Sequence, residues 1–492
     1  MPIRFGTDGW RAVISDEFTF ANVRQVAQAL ADHVLNRQGV TRQNGVERAE
    51  CPPVVVGYDT RFLSDRYAAQ VARVLAGNGI TVYVSESDCP TPALSFAVKS
   101  MGASMGVMIT ASHNPPRYNG IKIKSRDGGA ATDSETRAIE GLLSRNIQAG
   151  VEARQAAWRL ENGELRDSHP GWGSITRFDP LPPYLSHLRT LVDFPTIAKS
   201  GVRVVSDPMY GAGRGYIRRF LEEMGCEVKE IRGALNPGFG GVHPEPIAQN
   251  LAELAQTVVE GRYDIGLATD GDADRIGAVD ASGQFVDPHR IFSLALRHLV
   301  EVRGLRGAVV KTVSTTQLVN RLAERYDLPL FETPVGFNHI GELMLQEDVL
   351  IGGEESGGIT IRGHIPEGDG LLVGMLLLEI MATERKPLQA IVDELMRDVG
   401  CFYYRRRDRK CETLRGKELV EALMSNVPQE LGSLPVVRLD NSDGVKYHLA
   451  DGSWLLLRPS GTEPVLRIYV EATSATLVEQ LLDAGECLTR PH

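Results

Sequence analysis

The sequence predicts an α/β protein in which helices cover mainly parallel sheets. Short apolar runs rich in β-branched residues end in glycine or polar residues, as buried strands do, and amphipathic stretches of helical period separate them. The strand candidates are residues 52–59, 106–110, 202–208, 264–270, 308–313 and 348–355. Ligands of such sheets bind beyond the carboxyl ends of the strands, and the polar motifs of this chain follow its strand candidates.

The first two elements illustrate both patterns. Apolar residues recur at helical spacing at Val23, Val26, Ala27, Leu30 and Val34. This spacing predicts a helix with one buried face. The run PPVVVGYD, residues 52–59, then predicts a buried strand that ends in a loop. A chain of 492 residues is long enough for roughly three or four domains of this kind.

Changes in composition predict the domain boundaries. Residues 169–184 are rich in proline and glycine, a second break falls near 302–307, and residues 403–418 are the densest charge run. We therefore expect domains at 1–185, 186–301, 302–402 and 403–492. The charge run is interpreted as a solvated strand or linker edge rather than as a phosphate or nucleic-acid patch, because so short a run is usually solvated.

Composition narrows the class of protein. The chain is 42% hydrophobic and 24% charged, and its net charge of −10 argues against wholesale nucleic-acid binding. Its six cysteines form no CxxC pair, which favours reduced thiols over a zinc ribbon or a redox motif. The sequence has neither a signal-like apolar core nor a run long enough to span a membrane. We therefore expect a cytoplasmic protein with no nucleic-acid or membrane partner.

The segment ATDGDADRIG, residues 268–277, predicts a metal site. Asp270, Asp272 and Asp274 alternate directly after an apolar strand, and carboxylates so close together favour a hard cation such as Mg²⁺ or Ca²⁺. An EF-hand loop is rejected because its sixth and twelfth positions hold Arg275 and Ala281. An acidic surface turn is the alternative.

The segment LRPSGTEPVLR, residues 457–467, predicts a phosphate site. Ser460, Gly461 and Thr462 form a small-residue turn whose N–H groups would hold an anion. Arg458 and Arg467 flank it, and arginine binds phosphate through two parallel hydrogen bonds. An ordinary turn between two strands is the alternative.

Two further segments are ambiguous. In IGGEESGGI, Glu354 and Ser356 are suited to hydrogen bonding with sugar hydroxyls, although such a loop alone is more often a simple turn. In FGTDGWRA, Arg11 would either reach a phosphate or pair with Asp8. No Walker A sequence occurs, and YGAGRGY lacks the spacing of a dinucleotide loop.

The stretch TASHNPPRYNGIK, residues 110–122, allows three interpretations of Ser112: a hydrolase nucleophile, a phosphate carrier or part of a tight turn. No G-x-S-x-G elbow surrounds it. His113 is its sequence neighbour, and neighbours rarely face each other as a nucleophile and a base must.

Taken together and in this order, these motifs resemble those of the α-D-phosphohexomutase superfamily. TASHNPPRYNGIK is similar to the phosphoserine loop, DGDADR to the metal loop, GEESGG to the sugar-binding loop and RPSGTEPVLR to the phosphate-binding loop. The resemblance implies three related α/β domains with mixed sheets and a smaller C-terminal α+β domain resembling the TATA-binding-protein fold. These would be the phosphoserine, metal-binding, sugar-binding and phosphate-binding domains at the boundaries given above.

The resemblance also implies roles for individual residues. Ser112 would carry the phosphate and, with Asp270, Asp272 and Asp274, hold Mg²⁺. Lys122, on the lysine that moves protons in the family, would be catalytic together with Arg11 and Arg275. The substrate-binding residues would be Glu354, Ser356, Arg458, Ser460, Gly461, Thr462 and Arg467.

The implied function is an intramolecular phosphotransferase that interconverts glucose 1-phosphate and glucose 6-phosphate through a phosphoserine and glucose 1,6-bisphosphate. Its partners would be hexose phosphates, and the protein would be a monomer or a homodimer. A phosphomannomutase or phosphoglucosamine mutase is the alternative within the family. A non-catalytic sugar-phosphate-binding protein and a phosphatase are the alternatives outside it.

The chain departs from the family pattern at two positions. Gly358 stands where many bacterial members have a histidine, and His364 is the expected replacement. Asn338 stands where a lysine is common, with His339 as a substitute. The doubled glutamate in GEES is more similar to phosphoglucomutases, which places glucose first among the sugars.

Overall fold

A computed structural model of the chain describes residues 3–6, 8–37, 51–158, 171–410, 413–460 and 465–490. These residues form two compact units. The first unit contains Met1–Asp287 and Gly357–Leu388, and the second contains Pro288–Ser356 and Gln389–His492. Within the described ranges, no helix has the length and apolar character needed to cross a membrane.

The strands, in chain order, are β1 (Trp10–Val13), β2 (Val54–Tyr58), β3 (Val82–Ser85), β4 (Met105–Ile109), β5 (Tyr118–Lys124), β6 (Ile175–Phe178), β7 (Arg203–Asp207), β8 (Glu227–Glu230), β9 (Ile265–Thr269), β10 (Ile276–Asp280), β11 (Phe285–Val286), β12 (Ala308–Thr312), β13 (Leu330–Thr333), β14 (Val349–Gly353), β15 (Ile359–Ile361), β16 (Tyr403–Lys410), β17 (Glu430–Leu431), β18 (Leu434–Asp440), β19 (Val445–Leu449), β20 (Trp454–Pro459) and β21 (Val465–Ala472).

The α-helices are α1 (Phe20–Arg37), α2 (Ser64–Gly77), α3 (Thr91–Ser100), α4 (Asp133–Gln148), α5 (Leu181–Leu191), α6 (Phe194–Ser200), α7 (Tyr216–Glu223), α8 (Ala252–Gly261), α9 (Pro288–Glu301), α10 (Gln317–Arg325), α11 (Phe337–Gln346), α12 (Gly370–Glu384), α13 (Leu388–Val399), α14 (Thr413–Ser425) and α15 (Ala475–Leu488).

The first sheet is mixed, with strand order β1-β5-β4-β2-β3-β6. Strands β4, β2, β3 and β6 are parallel, while β5 and β1 run antiparallel at one edge. Side chains of β2 alternate between two cores. Val54 and Val56 pack into the larger core, which includes residues of α1 and α2, and Val55 packs against Leu94 and Val98 of α3. Helices therefore cover both faces, which explains why this strand is apolar throughout.

The second sheet has the order β11-β10-β9-β7-β8 and repeats this architecture. Its first three strands in the chain, β7, β8 and β9, are parallel, and β10 returns antiparallel to β9. Helix α8 packs on one side, and α12 contacts β9, β10 and α6. The segment from Gly370 to Ala382 of α12 is buried on all sides, so this helix forms part of the core of the first unit.

The second unit contains three parallel strands of a third sheet, β12, β13 and β14, and a C-terminal antiparallel sheet. Strands β13 and β14 both pair in parallel with β12, and α11 packs on β12 and β14. The C-terminal sheet is antiparallel, with order β16-β21-β20-β19-β18-β17, and α14 and α15 pack against it. The predicted fold class, three α/β domains with mixed sheets and a C-terminal α+β domain, is confirmed. Antiparallel strands make the first two sheets mixed rather than purely parallel.

Candidate active site

Ser112 lies in the turn between β4 and β5 and is fully buried. Its backbone has φ of 49°, a left-handed conformation that is uncommon for any residue other than glycine. The Ser112 N–H donates to Thr110 Oγ1 at 2.8 Å. A strained, buried serine at the carboxyl end of a parallel strand is typical of a functional position rather than of a simple turn.

Arg61 forms hydrogen bonds with the backbone of the serine turn, which the sequence motifs did not predict. Its guanidinium donates to the carbonyl oxygens of Ser112, Asn114, Pro115 and Tyr118. Asp59 accepts from Arg61 Nε at 3.1 Å, and both side chains are fully buried. The signal was present in the sequence, because the D-x-R pair follows directly on the buried strand β2.

Burial raises the pKa of Asp59 to about 6, and the Arg61 charge and the hydroxyls of Thr110 and Ser64 oppose this rise. Thr110 Oγ1 donates to Asp59 at 2.6 Å and also accepts from the Ser112 N–H. The Asp59 carboxylate therefore connects Arg61 to Thr110, which in turn accepts the hydrogen bond from the Ser112 N–H. Each member of this network restrains the serine turn.

The three aspartates lie in the turn between β9 and β10, where Ala273 has φ of 60°. One carboxylate oxygen from each of Asp270, Asp272 and Asp274 lies within 4.8 Å of the other two. Gly271 lets this turn approach the serine turn, because a Cβ at that position would lie 2.4 Å from the Ser112 carbonyl oxygen. The two turns that the sequence analysis singled out are therefore neighbours in the first unit.

Direct hydrogen bonds fix the aspartates. Ser112 Oγ donates to Asp270 Oδ2 at 2.9 Å. Thr91, at the start of α3, donates from Oγ1 to Asp272 Oδ2 at 2.6 Å and from its N–H to the Asp272 carbonyl at 2.9 Å. The metal-binding turn is thus attached to the first sheet at both the serine turn and helix α3.

Lys122 supplies the buried positive charge of this cluster. Its Nζ lies 2.6 Å from Asp274, 2.8 Å from Asp272 and 2.8 Å from Asp8. Burial alone would lower the pKa of Lys122, but Asp272, Asp274 and Asp8 raise it well above its ordinary value. The side chain is therefore an ammonium group aimed at the aspartates.

The cluster fits a hard divalent cation. Burial, together with the charges of Asp274 and Asp272, raises the pKa of Asp270 well above its ordinary value. The Oδ1 atoms of Asp272 and Asp274 are buried and accept no hydrogen bond from any residue that the structure describes. Three carboxylates, two of which each have an oxygen without a hydrogen-bond donor among the described residues, form a ligand set of the kind that Mg²⁺ prefers, and a bound cation would relieve their repulsion.

Two arginines border the cluster. Arg11 donates to Asn114 Oδ1 at 2.8 Å and to Asp8 Oδ2 at 3.2 Å. The pairing with Asp8 that the sequence left open therefore exists, and it places Arg11 beside the serine turn. The Arg275 N–H donates to Asp270 Oδ1 at 3.2 Å, and its Nε lies 3.8 Å from Asp274 Oδ1.

In the second unit, the predicted sugar loop follows β14. Glu354 and Ser356 are half-buried, and the Ser356 Oγ is shielded from solvent with no hydrogen-bond partner among the described residues. Glu355 between them lies 3.6 Å from Arg406 Nη1. The loop thus presents a serine hydroxyl that no described protein group satisfies.

The predicted phosphate site places two arginines directly opposite each other on neighbouring strands, Arg458 on β20 and Arg467 on β21. Like charges in this position repel each other, so an anion between them would be stabilising. Arg458 Nε also lies 2.6 Å from Asp443 Oδ2, and Ser460 donates its N–H to the Val465 carbonyl at 2.8 Å. Gly461 and Thr462 lie outside the described residues.

The charge run of β16 divides into two faces. Arg405, Arg407 and Arg409 point toward α15, where the first two pair with acidic residues. Arg406 and Asp408 alternate with them, and Arg406 Nε lies 3.1 Å from Asp408 Oδ1. The interpretation as a solvated edge is therefore incomplete, because Arg406, although exposed, extends to within 3.6 Å of Glu355 of the sugar loop.

His364 does not offer a free nitrogen to a sugar. Its Nε2 lies 2.8 Å from Asp369 Oδ2, and its Nδ1 lies 3.0 Å from His187 Nε2. Both ring nitrogens are occupied by protein groups in the first unit, so the expectation that His364 replaces the missing sugar-loop histidine is not supported by its geometry. Asn338 is buried near the start of α11.

Family models match the chain in four successive parts. They describe phosphoglucomutase/phosphomannomutase α/β/α domain I over residues 2–149, domain II over 182–283, domain III over 287–399 and the C-terminal domain over 410–484.

Similar proteins extend over the whole chain. A phosphoglucomutase/phosphomannomutase of Thermococcus kodakarensis is 31% identical over 481 residues, which cover 98% of this chain and 97% of the relative. A phosphoglucosamine mutase of Oceanobacillus iheyensis is 30% identical over 494 residues, which cover 99% of this chain and 98% of the relative. A crystal structure from Thermus thermophilus that carries a provisional phosphomannomutase name is 36% identical, has a TM-score of 0.82 and covers 99% of both chains.

The matches cover each of the four sheets, and in the first unit the serine turn and the aspartate turn meet in one buried cluster. The chain therefore belongs to the phosphoglucomutase/phosphomannomutase family and is an enzyme of the phosphohexomutase superfamily, an isomerase of carbohydrate metabolism.

Proposed function

We propose that the enzyme interconverts glucose 1-phosphate and glucose 6-phosphate through phosphorylated Ser112 and glucose 1,6-bisphosphate. The observation that supports this most strongly is the hydrogen bond from the Ser112 hydroxyl to Asp270 within the aspartate cluster. His113 Nδ1 lies 3.4 Å from Ser112 Oγ, so these two sequence neighbours do face each other, as a hydrolase nucleophile and base would. The shorter contact of the Ser112 hydroxyl, 2.9 Å, is to Asp270, so the oxygen atom that would carry the phosphoryl group lies against the candidate cation site.

The chemistry follows from charge. A phosphoserine carries about −1.5 to −2 charges near neutral pH. Asp270, Asp272 and Asp274 would hold Mg²⁺, which would offset this charge and stabilise the transferring phosphoryl group. Lys122 and Arg11 add fixed positive charge next to the serine turn. Their role would be to position the phosphoryl group and to neutralise its negative charge.

Two transfers complete the isomerisation. In the first, the bond between Ser112 Oγ and phosphorus breaks, a sugar hydroxyl bonds to phosphorus, and the proton of that hydroxyl replaces the phosphoryl group on Ser112 Oγ, which gives the bisphosphate and a neutral serine. The bisphosphate then turns end for end, and Ser112 takes the other phosphoryl group. We propose that Lys122 takes part in the proton movement, and that Arg275 contributes charge beside Asp274.

The non-reacting phosphate is assigned to the second unit. We propose that Arg458, Ser460 and Arg467 hold it together with Gly461 and Thr462. The two opposed arginines form a compact cationic site that has no preference for one end of the sugar, as a mutase requires. Glu354 and Ser356 would hydrogen bond with the sugar hydroxyls.

Glucose is placed first because the sugar loop reads GEES, as in phosphoglucomutases. A second candidate, glucosamine phosphate, is favoured by a specific observation: several relatives at 30% or 31% identity over nearly the whole chain are named as phosphoglucosamine mutases. Mannose phosphate is the third sugar to test.

Comparing kcat/KM for the 1-phosphates of glucose, mannose and glucosamine tests the assignment. Assays would contain Mg²⁺ and a trace of the matching bisphosphate. We expect glucose 1-phosphate to exceed the other two by about 10-fold or more, a difference of about 1.4 kcal/mol in transition-state binding. A higher value for glucosamine 1-phosphate would reassign the substrate while leaving the mutase chemistry intact. Release of inorganic phosphate without the 6-phosphate isomer would indicate a phosphatase.

A further inference from the structure

A loop outside the four motifs lies against the metal-binding turn. It connects β15 to α12 and contains Glu367, which is 3% exposed. The Gly370 N–H donates to the Ala273 carbonyl at 3.1 Å, and a Cβ on Gly370 would lie 2.3 Å from the Arg275 carbonyl oxygen. The loop is therefore fixed closely against the turn that carries the aspartates.

The Glu367 carboxylate pairs with Lys124, which is fully buried. Lys124 lies two residues after Lys122 on β5, so both side chains emerge on the same face of the strand. Two buried ammonium groups at this spacing repel each other and compete for the same carboxylates. How the carboxylates are divided between them decides which lysine faces the aspartates.

Asp8 is the group for which they compete. Its Oδ2 atom lies 2.8 Å from Lys122 Nζ and 3.2 Å from Arg11 Nη2, whereas its Oδ1 atom lies 3.9 Å from Lys124 Nζ. Asp8 thus contacts two of the cations assigned to the reaction, Lys122 and Arg11, and a further cation, Lys124, lies just beyond hydrogen-bond range. Glu367 is the nearer partner of that third cation.

We propose that Glu367 is a positioning residue for phosphoryl transfer. It holds the charge of Lys124 and thereby leaves Asp8 free to orient Lys122 and Arg11. Without the Glu367 carboxylate, the buried Lys124 ammonium would turn to the next carboxylate, Asp8, and draw it away from its two partners. The inference rests on the proposed function, because Lys122 and Arg11 are the groups that Glu367 positions.

The proposal predicts an asymmetry between the two members of the ion pair. Glu367→Gln leaves Lys124 charged and unsatisfied, so kcat should fall by about 10-fold or more with little change in KM, as expected when reacting groups are misplaced. Lys124→Met removes the competing cation. Burial already raises the pKa of Glu367 to about 7, so this carboxyl can take a proton and kcat should stay near the wild-type value.

The double variant Lys124→Met with Glu367→Gln is the decisive control. It removes both charges at nearly constant volume, and we expect it to restore kcat to within about 3-fold of wild type. If the ion pair had only a structural role, both single variants would lose kcat. Each loss would then follow the decrease in the thermal midpoint of that variant. Measuring kcat and KM well below the midpoint of each variant separates the two cases.

Should Glu367→Gln fail to fold, Asp8→Asn replaces it, because the Asp8 side chain is a third exposed whereas Glu367 is buried. Asp8→Asn should lower kcat, and adding Lys124→Met to it should change nothing further. Wild-type kcat in folded Glu367→Gln or in Asp8→Asn would overturn the inference. Wild-type activity in Ser112→Ala would instead overturn the proposed function.

Discussion

At the scale of the residue, the site of the first unit depends on buried charges that are almost all compensated. Arg61 and Asp59 restrain the serine turn, and Lys122 compensates the aspartates. Each pair is costly to bury and more costly to break, because removing one partner leaves the other charged in a medium of low dielectric. Two buried oxygens that accept no hydrogen bond from a described residue, Asp272 Oδ1 and Asp274 Oδ1, belong to the carboxylates of the proposed cation site.

The chain offers a matched pair of variants for testing the role of Arg61. Arg232 pairs with Asp207 at the end of β7, just as Arg61 pairs with Asp59 after β2, and both ion pairs are buried in the first unit. Of these two arginines, Arg61 donates to carbonyl oxygens of the serine turn, whereas Arg232 donates to the Asn250 carbonyl.

We predict that Arg61→Met and Arg232→Met each lower the free energy of unfolding by about 3–5 kcal/mol, because each leaves a buried aspartate unpaired. Arg61→Met should in addition lower kcat by about 100-fold, whereas Arg232→Met should leave it within about 3-fold when assayed well below its thermal midpoint. Denaturant unfolding and steady-state kinetics measure the two effects. Equal losses of kcat in the two variants would contradict a specific role for Arg61.

At the scale of the element, the sequence predicted the strands and the turns that follow them better than it predicted their partners. The apolar, β-branched runs identified β2, β4, β7, β9 and β12, because strands covered on both faces have a distinctive composition. The antiparallel strands β1 and β10 were not among the strand candidates: β1 forms the edge of the first sheet, and β10 lies between β9 and β11. The residue patterns alone therefore indicated more parallel sheets than the structure has. In β16, the side chain of Arg406 points to the opposite face from those of Arg405 and Arg407. The sequence did not indicate which face each arginine occupies, whereas the pairing of β16 with β21 does.

The motifs named the side chains of the candidate site but did not indicate which residues restrain them. Ser112 and Asp270 are 158 residues apart, and Lys124 and Glu367 are 243 residues apart. Contacts over such separations follow from sheet order and helix packing, which no local pattern encodes. Arg61 and Glu367 were missed for this reason, although the D-x-R pair after β2 was visible in the sequence.

The turn between β9 and β10 makes stability depend on pH and metal together. Because burial and repulsion raise the folded-state pKa of Asp270 above its unfolded value, its contribution to stability is fully present below about pH 4 and is lost as pH rises through the folded-state pKa. Mg²⁺ binds only the ionised carboxylates, so it competes with protons for this site.

We therefore predict that Mg²⁺ raises the thermal midpoint more at pH 8 than at pH 5, by an increment that Asp270→Asn removes. Thermal unfolding with Mg²⁺ and with EDTA across this range measures the increment. The difference between the two curves isolates the metal site from other titrating groups, such as Asp59, which contribute equally to both. An increment that is the same at both pH values, or that survives Asp270→Asn, would show that the cation binds elsewhere.

At the scale of the whole molecule, the proposed chemistry is divided between the two units. The first contains the serine turn, the aspartates and Lys122, and the second contains the sugar loop and the opposed arginines. The chain has a net charge of −10, yet cationic side chains lie at both proposed phosphate positions, Lys122 and Arg11 beside the serine turn and Arg458 and Arg467 on β20 and β21. The central claim is that the phosphoryl group travels on Ser112.

Intact-mass spectrometry of the full-length protein tests this claim most directly. After incubation with glucose 1,6-bisphosphate and Mg²⁺, the wild-type enzyme should gain about 80 Da, the mass of one phosphoryl group, and lose it on addition of glucose 6-phosphate. Ser112→Ala should gain nothing and lose turnover. Ser95→Ala, which removes another buried hydroxyl of the first unit, should behave like wild type. A Ser112→Ala protein that still gains the phosphoryl mass and retains turnover would contradict the account.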